Sequence, residues 1–300
     1  MKLISKSLAA AISAAAIVAM QACSGNGGKQ NITNDQLDEM QEIDEMEQTT
    51  FYLLPSPEDI FAFSAEKMKY SSALLNPTEK ADSYMDIKMQ EINFGVYTAD
   101  MAYAAAFGEY KDAGKYLKTI KGVSSKLGLE SIFTQALATR VDQFIENKDS
   151  LKEIANDTYY DIKKSLESRN RNSTIAQISA GGWVECMYII TNSIEHFSET
   201  DPNIQHIVGE KQVFTSLMQY LDQLKDKPGI SSTINDLKPI EEAYAQLGYE
   251  DAAPASAPAS TGEDAPIVIG GGKKLKITED NFNLLRDKIA GVRQVLTDNK

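Results

Sequence analysis

Residues 50–250 carry many sequence signals of α-helices and almost none of β-strands, which restricts the fold classes that this chain can adopt. Apolar residues recur at spacings of three and four, and no segment alternates apolar and polar residues for long. Ser56-Pro57-Glu58-Asp59 and Asn76-Pro77-Thr78-Glu79 each place a capping side chain, a first-turn proline and first-turn acids in order. The sequence therefore predicts an all-α domain over 51–250, an antiparallel helical bundle or a short stack of helical hairpins.

Start and stop signals divide this domain into helices. Gly108, Gly128 and Gly248 are typical helix ends, as is Pro228-Gly229. Gly95 lies inside the second helix, where it predicts a kink or a close helix contact. The predicted helices span 57–70, 77–107, 109–127, 129–147, 150–169, 173–198, 204–226 and 235–247, and the predicted caps of the later ones include Ser150, Ser173 and Asn203.

The N-terminus is typical of an export signal. Lys2 and Lys6 precede the thirteen-residue apolar run Leu8–Met20. A helical span of the hydrocarbon core needs about 20 apolar residues, so this shorter run indicates a signal peptide over 1–22. The run ends in Met20-Gln21-Ala22-Cys23, which resembles a bacterial lipobox, in which a small residue precedes the cysteine that is lipidated. The resemblance implies a lipid anchor such as palmitate on Cys23; a cleaved, unlipidated secreted protein is the alternative.

The chain also resembles exported lipoproteins of the Bacteroidota in its small polar residues after Cys23 and its richness in Asn and Tyr. Ser24, not Asp, follows the cysteine, which by that resemblance implies the outer membrane. The stretch Ser24–Lys29 carries no acid, which favours the periplasmic face over surface export. Asp149-Ser150-Leu151 resembles the short O-glycosylation motif of the same proteins.

The charge of the chain excludes one class of partner. The chain has 30 basic and 43 acidic residues. The resulting net charge of −13 disfavours nucleic acid as a binding partner. Seven of the acids lie in Asp35–Glu47, which has no basic residue, within a predicted flexible tether over 23–50. Two interpretations remain open for this segment: a docking or metal-collecting segment, or a solvated helix beside the membrane. Its apolar residues recur every three positions: Leu37, Met40, Ile43 and Met46.

The C-terminal part is predicted to be a separate small unit. Residues 251–265 form a Pro/Ala/Ser linker. Residues 266–269 and 274–277 flank a glycine turn and predict a β-hairpin within 266–300. Thr278 is the predicted cap of the helix that follows, which runs to about Thr297. That helix either docks on the main bundle or forms a detachable module. Its predicted apolar face comprises Phe282, Leu285, Ile289, Val292 and Val295.

One helix hairpin resembles a known repeat. Phe107–Ala113, with Leu117 and Ile120, resembles the second half of a tetratricopeptide repeat, in which a Gly, a Tyr and an Ala sit where two helices turn and pack. No second copy follows at the repeat period of about 34 residues. An ordinary antiparallel hairpin is the alternative.

Catalytic and metal motifs are missing from the sequence. His196 and His206 are the two histidines, and neither belongs to an HExxH motif. Cys186 lies on a predicted buried helix, where a thiol is usually inert. We therefore expect no catalytic residues, no metal and no cofactor, and predict a protein that is not an enzyme.

Two residue sets are candidates for ligand binding. Gly181-Gly182-Trp183 indicates either a pocket that meets the backbone or a close helix crossing. Asn93, Tyr97, Asp100 and Tyr103 share one face of a helix and indicate either a groove for sugar or peptide or a buried hydrogen-bonded ladder. The leading hypothesis is a lipid-anchored, non-enzymatic scaffold or interaction module with an envelope protein as partner. The alternative is a ligand-binding lipoprotein with an interhelical pocket for a glycan, peptide or lipid.

Overall fold

The computed structural model describes residues 55–144, 146–251 and 273–298. Within them the all-α prediction is confirmed: nine α-helices accompany one small antiparallel sheet. The predicted signal peptide 1–22, Cys23, the tether 23–50, the linker from 252 and the predicted strand 266–269 lie outside the described residues. The helices are α1 (Pro57–Ser64), α2 (Ile87–Phe107), α3 (Tyr110–Lys126), α4 (Gln135–Phe144), α5 (Lys148–Glu167), α6 (Asn172–Ser193), α7 (Pro202–Gln223), α8 (Ile230–Ala245) and α9 (Glu279–Thr297).

Helices α2 and α6 form the centre of the body. Every residue from Glu91 to Ala106 of α2 is buried, so this helix has no solvent-facing side. Helices α1, α3 and α5 pack against α2, while α7, α8 and α9 pack around α6 and each other. The antiparallel hairpin of α2 and α3 turns at Gly108, whose φ of 75° is left-handed; its resemblance to a tetratricopeptide repeat stays a prediction.

The second predicted helix begins ten residues later than expected, at Ile87 instead of Pro77. Asp86 caps it by accepting a hydrogen bond from the backbone nitrogen of Lys88 at 2.9 Å. Asn76, the predicted cap, is instead 0% exposed. Its side chain donates to the Tyr84 hydroxyl at 3.2 Å, so it is not available to a helix end. A short 3₁₀ helix at Thr78–Asp82 forms part of the segment between Asn76 and the start of α2.

Other helix ends differ by smaller amounts. Ser56 caps α1, as predicted, and forms a capping box with Asp59. That helix ends at Ser64 and not near residue 70, and a 3₁₀ turn follows it. Asn147 and Asp201 cap α5 and α7 through their side chains, in place of Ser150 and Asn203.

The sheet joins the end of the helical domain to the C-terminal region. β1 (Gly248–Asp251) pairs antiparallel with β2 (Lys273–Lys276), with Gly248 opposite Lys276. The strand predicted near 274–277 therefore has a partner at 248–251, where a helix stop and no strand was expected.

Helix α9 is part of the main body. It packs against α6 and α8. Four of the five predicted apolar residues are buried, whereas Val295 is 49% exposed and Leu296 takes its place. The docked alternative, and not the detachable one, describes the C-terminal helix.

Candidate functional site

Three glycines allow the two central helices to cross with their backbones in contact. A Cβ atom on Gly95 of α2 would overlap the carbonyl oxygen of Ile178 and lie 2.8 Å from the backbone nitrogen of Gly182. A Cβ atom on Gly181 would overlap the carbonyl oxygen of Ile92. A crossing this close excludes side chains at Gly95 and Gly181. A Cβ atom on Gly182 would meet the carbonyl oxygen of Gly95 at 3.4 Å, an ordinary contact, so the crossing explains one of the two consecutive glycines.

Trp183 lies in the core at the other side of α6. Its side chain is 4% exposed, and its Nε1 donates to a carboxylate oxygen of Glu210 at 2.8 Å. The indole ring lies 4.7 Å from the Phe214 ring, centroid to centroid. Burial raises the pKa of Glu210, and the hydrogen bond from Trp183 opposes that rise. Trp183 therefore joins α6 to α7.

A small cavity lies beside Trp183, with Gly95, Gly182 and Tyr159 in its wall. Its volume is about 20 Å³, which is room for about one water molecule. Pockets for organic ligands have volumes of roughly 300 Å³ or more. In this structure the glycines and Trp183 serve helix packing and do not line a pocket of that size.

The second candidate set lies wholly inside the protein, with every side chain 0% exposed: Asn93, Tyr97, Asp100 and Tyr103. The hydroxyl of Tyr103 donates to the carbonyl oxygen of Lys69 at 3.2 Å. The hydroxyl of Tyr97 donates to the carbonyl oxygen of Pro77 at 3.1 Å. These bonds hold the irregular segment 69–77 against α2.

The other two members of the stripe extend the same network. Asp100 accepts a hydrogen bond from the backbone nitrogen of Asn76 at 3.2 Å. The side chain of Asn93 donates to the carbonyl oxygen of Leu296, at the end of α9, at 2.8 Å. The stripe is thus a buried ladder that joins three parts of the chain, and the groove interpretation does not describe these four residues.

A buried ion pair joins α6 to α9. Arg293 donates from Nε and Nη2 to the two carboxylate oxygens of Glu185 at 2.9 and 2.8 Å. Its guanidinium lies 4.5 Å from the centroid of the Tyr188 ring. The Glu185 side chain is 0% exposed, so these bonds compensate a charge that water does not reach.

Asp100 is a further buried acid beside this ion pair. Burial raises the pKa of its carboxyl group well above the ordinary value, the charge of Glu185 raises it further, and Arg293 opposes both. Asp100 therefore releases its proton at a higher pH in the folded protein than in the unfolded chain.

Replacement of Asp100 by Asn is expected to change how stability depends on pH. The folded wild type keeps a proton that the unfolded chain releases above the ordinary pKa of 3.8. This contribution to stability is therefore full below that pH and is lost as the pH rises toward the folded pKa, by up to about 1.4 kcal/mol per pH unit. Urea unfolding of both proteins between pH 4 and 8 measures it. Parallel stability curves would show that Asp100 is ionised in the folded protein.

Two further titratable groups, His206 and Cys186, lie beside or within the core. His206 stacks on Phe63 with ring centroids 4.5 Å apart, and burial lowers its pKa. Cys186 is 0% exposed, and burial raises the pKa of its thiol. Within the described parts of the chain, no group of three or more His, Cys, Asp and Glu side chains is placed to hold a metal ion.

An open groove of about 210 Å³ lies on the surface between α3 and α4. Lys118 and Lys121 stand on its α3 side and Asp142 on its α4 side. No residue from 135 to 143 of α4 is buried, and Leu137 and Val141 of this stretch line the groove. The apolar lining comprises Leu117, Phe133, Leu137 and Val141.

A wider cleft lies on the other side of α4, against α5, with a volume of about 560 Å³. Arg140 of α4 and Asp157 of α5 form an ion pair that joins the two walls, and Asp161 and Lys164 add further charges. Five hydroxyl side chains also line it: Ser131, Thr134, Thr158, Ser165 and Ser168. Ile132, Ala136 and Leu137 complete the lining, so helix α4 separates an apolar groove from a cleft of mixed polar and apolar character.

Sequence reasoning did not find the pair of Glu185 and Arg293 or the two surface clefts. One signal was present, because Glu185 is the one charged residue of α6. A lone acid in an apolar helix predicts a buried basic partner, but it does not say which of 30 basic residues supplies it.

No family model, curated protein or solved structure matches this chain. Among the residues that the structure describes, none of the helices combines the length and the apolar character needed to cross a membrane.

Proposed function

We propose that this protein is a lipid-anchored component of the cell envelope that acts as a non-enzymatic scaffold or protein-interaction module. Met20-Gln21-Ala22-Cys23, which resembles a lipobox, supports an anchor on Cys23. Ser24 and the acid-free stretch after it support the periplasmic face of the outer membrane. The anchor would hold the helical body within reach of other envelope proteins.

The groove between α3 and α4 is the observation that carries the interaction role. Its apolar side chains Leu117, Phe133, Leu137 and Val141 are all only half-buried. Apolar grooves with a charged rim are typical sites for amphipathic helices of partner proteins. Residues 135–143 of α4 form one wall of the groove and are not part of the core, so their side chains are available to bind a partner.

A pull-down from detergent-solubilised envelopes tests this role. Wild type and Leu284→Asp, a leucine-to-aspartate control in α9, are expected to retain a stoichiometric protein partner. Leu137→Asp places a charge in the groove and is expected to reduce that partner at least about tenfold. Because no residue from 135 to 143 of α4 is buried, circular dichroism should show all three proteins folded. Lack of a stoichiometric partner, or equal recovery by all three proteins, would contradict the proposal.

The cleft between α4 and α5 favours a second candidate, a ligand-binding lipoprotein. Its volume of about 560 Å³ lies within the range of organic ligand pockets. Its hydroxyl and carboxylate groups suit a glycan better than a lipid. Titration calorimetry with envelope glycans should then give a heat of binding that Asp161→Ala weakens, and no heat from any glycan would remove this candidate.

A further inference from the structure

The α3–α4 groove has the length of a site for a short helix. Its α3 wall runs from Gly114 to Lys121. At about 1.5 Å of rise per residue, that wall is roughly 11 Å long, or about two helical turns. Within the described residues, α4 packs mainly against α5, so α3 and α4 leave the space between them open to a third helix.

The walls of the groove favour a helix over an extended peptide. An added β-strand needs a free strand edge, and both walls are helices. A polyproline segment binds between aromatic side chains, whereas Phe133 is the one aromatic residue among the described lining residues. The volume of about 210 Å³ is below the roughly 300 Å³ of pockets for organic ligands. An amphipathic helix needs room only for the side chains of one face.

The α3 rim of the groove carries basic charge that no described residue neutralises. Lys118 and Lys121 are exposed, and neither forms a salt bridge with another described residue. Helix α3 contains five lysines against one acid, in a chain of net charge −13. Asp142, on the α4 side, is the one acid among the described lining residues. The two rims of the groove therefore differ in charge.

We infer that the partner of this groove presents an amphipathic helix with acidic residues along one flank of its apolar face. The apolar face covers Leu117, Leu137 and Val141, and the acidic flank lies against Lys118 and Lys121. The inference rests on the interaction role proposed for this groove and adds the chemistry of the partner. The net charge of the chain repels an acidic helix, so the unpaired lysines favour this groove over acidic parts of the surface.

Two synthetic helical peptides test the inference on the full-length protein in detergent. They share leucines at positions i, i+3 and i+7 and differ in one flank, which carries glutamates in one peptide and lysines in the other. Fluorescence anisotropy of the labelled peptides measures both affinities. We expect the glutamate peptide to bind at least about tenfold more tightly, and added salt to weaken its binding.

Charge variants of the rim locate the binding site. Lys118→Glu combined with Lys121→Glu should weaken binding of the glutamate peptide about tenfold, because two favourable charge pairs become repulsive. Lys227→Glu combined with Lys238→Glu is the matched control, since both lysines are exposed and lie outside the groove lining. The control should change the affinity less than about twofold. Leu137→Asp should weaken binding at least about tenfold.

Several results would overturn the inference. Equal affinities of the two peptides, or tighter binding of the lysine peptide, would contradict an acidic partner. Equal effects of the two double variants would place the binding outside the groove. A dimer in light scattering that Leu137→Asp converts to a monomer would identify a second copy as the occupant.

The inference and the proposed function fail in different ways. If neither peptide binds while Leu137→Asp still loses its envelope partner, the acidic helix is wrong and the interaction site stands. If Leu137→Asp also keeps its envelope partner, the proposed function is wrong as well.

Discussion

Gly95→Ala is expected to lower the free energy of unfolding by about 3 kcal/mol. The added methyl group would overlap the carbonyl oxygen of Ile178. That oxygen belongs to a helix backbone and cannot rotate away as the end of a side chain can, so α2 and α6 would have to separate. Gly181→Ala should have a similar effect, because its methyl group would overlap the carbonyl oxygen of Ile92. Urea unfolding followed by circular dichroism measures both.

Gly209→Ala and Gly291→Ala are the matched controls. Both glycines lie inside helices, and a Cβ atom at either position would meet no other atom within 4 Å. Alanine at such positions should stabilise the protein by about 0.5–1 kcal/mol, because it restricts the unfolded chain more than glycine does. If Gly95→Ala unfolds at the same urea concentration as the wild type, the helices do not cross in backbone contact.

Arg293→Met is expected to cost about 3–5 kcal/mol of stability. The substitution keeps most of the apolar volume but leaves the Glu185 carboxylate, which is 0% exposed, without its two charged hydrogen bonds. It also breaks the connection that joins α9 to α6. Thermal and urea unfolding of the full chain measure the loss.

Two further proteins separate the charge effect from simple loss of an arginine. Arg286→Met removes an arginine that pairs only loosely with exposed Asp287, at 3.9 Å, and should cost less than about 1 kcal/mol. The double variant with Glu185→Leu and Arg293→Met should regain much of the stability that Arg293→Met alone loses, because no buried charge is left unpaired. A double variant less stable than Arg293→Met would contradict a cost that comes from the stranded carboxylate.

The fold class followed from the sequence because periodicity and caps are local properties. The caps at Ser56 and Thr278 form as predicted. The start of α2 was misplaced because Asn76-Pro77 carries a strong local signal that the core overrides. Asn76 gains buried hydrogen bonds with Tyr84 and Asn93, and these replace the cap that its sequence context favoured.

The sequence identifies the residues of the polar stripe but not their role. Asn93, Tyr97, Asp100 and Tyr103 do share a face of α2, as their spacing predicts. The same polar and aromatic pattern is compatible with an open groove and with a buried ladder. In the structure, some of the groups that bond to these four side chains are backbone carbonyls. Since a backbone carbonyl has no residue-specific signal, the sequence could not place the segment 69–77 over the stripe.

The surface groove depends on the placement of helices and not on any one motif. Leu117 and Leu137 lie on separate helices, with a turn between them. In the sequence, each of these leucines has the spacing of an ordinary core-facing residue in an amphipathic helix. Only the arrangement of α3 and α4 shows that these positions remain half-exposed and that Lys118 and Lys121 stand beside them.

The mass of the mature N-terminus tests most directly whether this helical body works at a membrane. The protein would be purified in detergent from its own cells, and its N-terminal peptide analysed by mass spectrometry. We expect the chain to begin at Cys23 with acyl groups attached, and Cys23→Ser to abolish them and release the protein from the membrane fraction. A mature chain that begins elsewhere, or an unmodified Cys23 on a protein that still fractionates with membranes, would contradict the lipid anchor.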